Sequence, residues 1–156
     1  MYGGIPSINE PVDAYEADRI YREVEELRTF GRSPYGFYVF GHLDDGGARV
    51  DQAVPMRFWT PHGLSYSPKS IAIGVHGDFR REHASPDIVQ ATTEIIAMLF
   101  RLMPWCNVLR HDEPKNPPAS GDLTKICPGD GLPVAQIAAD ARKMVLDGAA
   151  PRWLLS

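Results

Sequence analysis

The stretch SPDIVQATTEIIAMLFRLMP, residues 85–104, limits the possible folds more than any other part of this chain. Ser85 can accept a hydrogen bond from one of the open N–H groups of a first helical turn. Pro86 sits where a missing N–H costs nothing. Pro104 stops the segment from the other side. Between these fences Ile88, Thr92, Ile95, Ile96, Leu99, Leu102 and Met103 recur as one apolar stripe. A helix of this length with one apolar face has to pack against something.

The flanking segments supply what it packs on. YGFYVF (35–40) reads as a strand, HLDDGG (42–47) as a turn, and ARVDQAV (48–54) as the returning strand of a hairpin. SIAIGV (70–75) is a short apolar run of the kind that forms a buried strand. CNVLRH (106–111) is a further predicted strand, ending at His111. An earlier helix is predicted over 14–28, where Asp13 and Glu16 have capping-box spacing and Ala17, Ile20, Tyr21, Val24 and Leu27 share a face. A last helix starts at Pro133, with Val134, Ile137, Ala138, Ala141 and Val145 facing inward. The order is helix, hairpin, strand, helix, strand, helix. It predicts an α/β fold, a mixed central sheet flanked by helices, in a single domain over 1–156 with residues 148–156 as a tail.

Composition narrows the function. An apolar fraction of 44% and a charged fraction of 23% are those of a globular protein. A net charge of −4 argues against a general nucleic-acid binder, which usually carries a basic face. No apolar run has the length of a membrane span. The first residues, MYGGIPSINEPVD, lack the basic and apolar regions of a secretory signal, so synthesis in the cytoplasm is expected. Two cysteines, Cys106 and Cys127, are too few for a disulfide scaffold; they are expected as independent thiols, with a single bridge between them as the alternative.

Chemistry concentrates in HDEPKNPPASGDLTKICPG, residues 111–129. His111 follows a predicted strand and Cys127 closes the loop after it. An imidazole nitrogen and a thiolate are both zinc donors, and a catalytic zinc usually takes three protein ligands and an open position. Two donors also fit an ordinary loop with an unreactive thiol. Lys125 lies two residues before Cys127, so on an extended segment both side chains share a face. A lysine there can stabilise an oxyanion, or simply be solvated. His76 ends the strand at 70–75, on the same face as Ala72 and Gly74. These small neighbours leave room for it to look into a cleft as a base or ligand, or it is an inert strand-end histidine. His62, in the aromatic loop over 55–69, either binds substrate or is exposed; His42 and His83 read as surface.

Taken together, these segments resemble the type 2 N-acetylmuramoyl-L-alanine amidases, whose fold is shared by peptidoglycan recognition proteins and phage lysins. The resemblance runs from about residue 14 to residue 140. The family's first helix and "GYHF" strand look like residues 14–28 and GFYVF (36–40). Its loop histidine falls on His62, and its "SIGI…GNF" strand on SIAIGVHGDF (70–79). Its zinc histidine after a strand matches His111, and its "K-x-C-P-G" tail matches Lys125-Ile126-Cys127-Pro128-Gly129.

The resemblance implies a zinc hydrolase that cuts the amide between the lactyl group of N-acetylmuramic acid and L-alanine of peptidoglycan stem peptides. By it, His111 and Cys127 hold zinc, Lys125 stabilises the oxyanion, and His62 and Phe37 meet the substrate. It implies bacterial peptidoglycan or a muropeptide as partner, with neither nucleic acid nor membrane, and a phage lysin or virion-associated setting. The chain also departs from the pattern. The family's first zinc histidine precedes the first helix, and no histidine precedes His42 here. The assisting tyrosine of the "GY" strand is Phe37. His76 stands about where some relatives carry a glutamate, and is expected to assist catalysis or complete the site. A degenerate module of the same fold, binding peptidoglycan or serving a structural role without cutting it, is the alternative.

Overall fold

A computed structural model describes residues 35–41, 47–58, 69–113 and 127–149. The chain divides into two compact units, Met1–Asp78 and Phe79–Ser156. The predicted helix over 14–28 lies outside the described residues, as do His42, His62, Lys125 and the loop over 114–126.

The first unit holds a three-stranded sheet among its described residues. Strand β1 (Phe37–Gly41) lies between β2 (Ala48–Gln52) and β3 (Ile73–Val75). β1 and β2 form the expected antiparallel hairpin, with Val39 opposite Val50. β3 runs parallel to β1, with Tyr38 opposite Gly74. The sheet is therefore mixed, as predicted. The central position of β1 explains why its aromatic and β-branched residues are the buried ones: Phe37, Tyr38, Val39 and Phe40 are all core. β3, expected to be buried, is only half-buried. Tyr38 and Phe40, two apart on one face, stack at 5.9 Å.

The second unit holds two helices among its described residues, α1 (Pro86–Leu102) and α2 (Val134–Leu146). The Ser85 hydroxyl accepts the Ile88 N–H at 3.3 Å, so α1 begins where its sequence requires. Its burial is wider than one stripe. Every residue from 91 to 97 is buried, including Thr92, Thr93 and Glu94. The Thr92 and Thr93 hydroxyls donate to the carbonyls of Ile88 and Val89, each at 2.7 Å, and Gln90 donates to the Glu94 carboxylate at 2.8 Å. Those bonds satisfy polar groups that burial would otherwise penalise. Leu102, expected inside, is exposed on the last turn.

α2 packs on α1 through Ile137 and Ala141, as its spacing predicts. Arg142 of α2 lies over the Phe100 ring at 4.2 Å and donates to the Cys106 carbonyl at 3.1 Å.

Residues 106–111, predicted as a strand, form none. An extended segment becomes a strand only when a neighbouring backbone supplies its partners. Here the Cys106 carbonyl accepts from an arginine side chain, the Cys106 N–H donates to Met103, and the segment closes in a turn in which the Glu113 N–H donates to Arg110. Burial does alternate along it, with Cys106, Val108 and Arg110 half-buried and Asn107, Leu109 and His111 exposed. It reflects an extended segment lying along the unit's surface.

Candidate functional site

His111 and Cys127 stand at the two ends of the loop over 112–126, and a short polar network joins those ends. Asp112 and Cys127 are bonded twice. The Asp112 N–H donates to the Cys127 carbonyl at 3.3 Å, and the Asp112 carboxylate (Oδ2) accepts the Cys127 N–H at 3.2 Å. Arg110 grips the same carboxylate, its Nε donating to Oδ1 at 3.0 Å and its Nη2 to Oδ2 at 3.1 Å. The remaining fork, Nη1, reaches Asp130 at 2.9 Å. The turn carrying these residues is closed by its own bonds, since the Arg110 N–H donates to the Glu113 carboxylate at 3.0 Å.

The Cys127 side is anchored a second time. Cys127–Pro128 is a cis peptide, followed by Gly129 with φ +94°. The Gly131 N–H donates to the Phe79 carbonyl at 2.8 Å, and the Gly131 carbonyl accepts the Ala84 N–H at 2.9 Å. A Cβ on Gly129 would lie 2.6 Å from the Phe79 carbonyl carbon, and one on Gly131 would run into the Glu82 carbonyl. Both glycines are needed for the chain to pass this close to the turn at 79–82. Cys127 is thus held between two fixed points.

The electrostatics follow from this packing. Burial alone would raise the Asp112 carboxyl, but the Arg110 and Cys127 hydrogen bonds outweigh it and hold it below the ordinary carboxylate value. The Cys127 thiol is pushed up by burial and, further, by the Asp112 charge; Arg110 and Arg80 pull it down without reversing the shift. Becoming a metal ligand requires loss of the thiol proton. Cys106 and Cys127 are both free.

The expected residues separate as follows. His111 is exposed, and its sequence neighbour Asp112 makes the bonds to half-buried Cys127. An imidazole and a thiol are suitable donors for zinc. Among the described residues no three of His, Cys, Asp and Glu cluster as a metal site. Lys125 and His62 lie outside the described residues.

Phe37, expected to meet substrate, and His76, expected either to look into a cleft as a base or ligand or to be an inert strand-end histidine, are both buried, 5% and 7% exposed. The room expected above Gly74 is filled, since a Cβ there would meet the Tyr38 and Tyr35 rings at 3.1 and 3.2 Å. His76 packs 6.1 Å from the Phe40 ring, and its backbone N–H donates to Val39 at 2.9 Å. Gly74 is therefore small because aromatic rings need the space, which the alternation of residues along β3 does not reveal.

Arg110 and Asp112 are the residues that sequence reasoning missed. Their spacing on either side of His111 is visible, but the partner of Asp112 is the backbone of Cys127, and a backbone partner leaves no mark in a sequence.

Comparison of the chain with protein-family models, with curated proteins and with solved structures finds no match.

Proposed function

We propose that the chain is a zinc-dependent N-acetylmuramoyl-L-alanine amidase acting on bacterial peptidoglycan. The observation that supports this reading most is the double hydrogen bond between Asp112 and Cys127. It draws together the histidine end and the cysteine end of the one segment whose residue types suit zinc. In this reading His111 and Cys127 are two of the zinc donors, and Lys125, two residues before Cys127, supplies positive charge to a developing oxyanion. Zinc would polarise the scissile carbonyl and lower the pKa of bound water. A catalytic zinc of this kind takes a third protein donor as well.

The test is zinc per chain by elemental analysis, beside hydrolysis of purified cell walls. The expected result is about one zinc per chain, its loss in Cys127→Ser, and release of stem peptide that stops with chelation. Wall hydrolysis that survives both chelation and Cys127→Ser would sink the proposal.

A second reading is a peptidoglycan-binding or structural module of the same fold. It is favoured by Phe37, which has no hydroxyl and is buried in β1. It predicts co-sedimentation with cell walls without cleavage, and turnover by this chain would exclude it.

A further inference from the structure

We infer that Asp112, held by Arg110, is the positioning residue for Cys127: it fixes the backbone from which the thiol projects before any metal arrives. This rests on the reading of Cys127 as a zinc donor. Three observations carry it. First, the Asp112 carboxylate bonds the Cys127 backbone and is itself fixed by two Arg110 donors, so it cannot swing away without breaking both pairs. A carboxylate clamped by a bidentate guanidinium is far better fixed than one held by a single bond. Second, the Asp112 N–H also bonds the Cys127 carbonyl, so the contact fixes the orientation of the Cys127 peptide as well as its distance. Third, the chain on the other side of Cys127 is pinned independently, through Gly129 and Gly131 on the turn at 79–84.

Asp112 and Cys127 close the base of the segment between them. Closing the base in advance removes an ordering cost from ligand binding. The third Arg110 donor reaches the exposed carboxylate of Asp130, a surface pair that adds little to the clamp. Outer partners such as Asp112 change metal affinity by about 10- to 100-fold when removed.

The test uses the full chain and starts without metal. Amide hydrogen exchange of the unsubstituted protein reads the Cys127 N–H directly. Protection by more than about tenfold is expected from a half-buried bond to a fixed carboxylate, and exchange at the open-chain rate overturns the inference. The Asp112→Asn and Arg110→Lys variants are then titrated with zinc against a competing chelator. Each should bind about 10- to 100-fold more weakly, and Co²⁺ loaded in place of zinc should show a weakened thiolate-to-metal charge-transfer band. Unchanged affinity and an unchanged band in both variants, with Cys127 N–H protected in the parent, would make the clamp structural only and overturn the positioning role. If the unsubstituted chain binds no zinc, the amidase reading fails and the positioning role with it, while the amide exchange still reports whether the clamp forms.

Discussion

At the scale of single residues, the structure turns on a few atoms that composition would never rank. Gly131 is one. Its missing side chain lets the backbone press on the turn at 79–82, where a Cβ would meet the Phe79 carbonyl oxygen at 2.6 Å and the Glu82 carbonyl closer still. Those obstacles are backbone atoms and cannot rotate away. Gly131→Ala is expected to cost about 3 kcal/mol or more. Gly148 is the useful contrast. It has φ +68° with open space around it, so Gly148→Ala should cost only about 1 kcal/mol, from left-handed strain alone. Urea midpoints of the two variants, measured together, check the ranking; equal values would contradict the close approach at Gly131. Asp112 belongs at this scale too. One carboxylate bonds a guanidinium and a backbone N–H at once, and neither its neighbours His111 and Glu113 nor its spacing from Cys127 advertises that.

At the scale of elements, the helices and the hairpin among the described residues formed as read, the strand read over 70–75 shrank to Ile73–Val75, and the one over 106–111 did not form. α1 starts at Pro86 because the Ser85 hydroxyl takes a helix N–H and proline has none to waste. Ser85→Ala should lower stability by about 1 kcal/mol, whereas Ser85→Asp, which keeps an acceptor, should hold it near the parent value; thermal unfolding of both variants reads the difference. The hairpin of β1 and β2 was legible for a similar reason, since alternation and a polar turn are local. Residues 106–111 were read as a strand and lie in the wrong surroundings for one. Whether an extended segment pairs depends on what lies beside it, and here Arg142, far away in sequence, takes the Cys106 carbonyl. The same limit explains His76. Its position at the end of β3 was legible, but the tyrosine rings that fill the space over Gly74 come from β1 and the residues before it.

At the scale of the whole molecule, the two units carry different parts of the candidate chemistry: Phe37 and His76 belong to the sheet unit, His111 and Cys127 to the helical one. If His111 and Cys127 hold zinc in the folded chain and not in the unfolded one, binding must stabilise the fold. Free zinc at a hundredfold excess over Kd should add about 2.7 kcal/mol, and the gain should vanish in Cys127→Ser. Calorimetry with and without zinc reads it; an equal gain in the variant would place the zinc elsewhere. No helix among the described residues is long and apolar enough to cross a membrane. By itself the sequence determined the helix over 86–102, its cap, the hairpin, the inward face of α2 and the residue types that suit a metal, because caps, periodicity and donor chemistry act over a few residues. Tertiary structure alone decided which strand is central, that residues 106–111 stay unpaired as a strand, that His76 is buried, and that Asp112 holds Cys127. Each of those depends on a contact between distant segments, made as often with a backbone group as with a side chain, and a backbone group is the same at every position of the sequence.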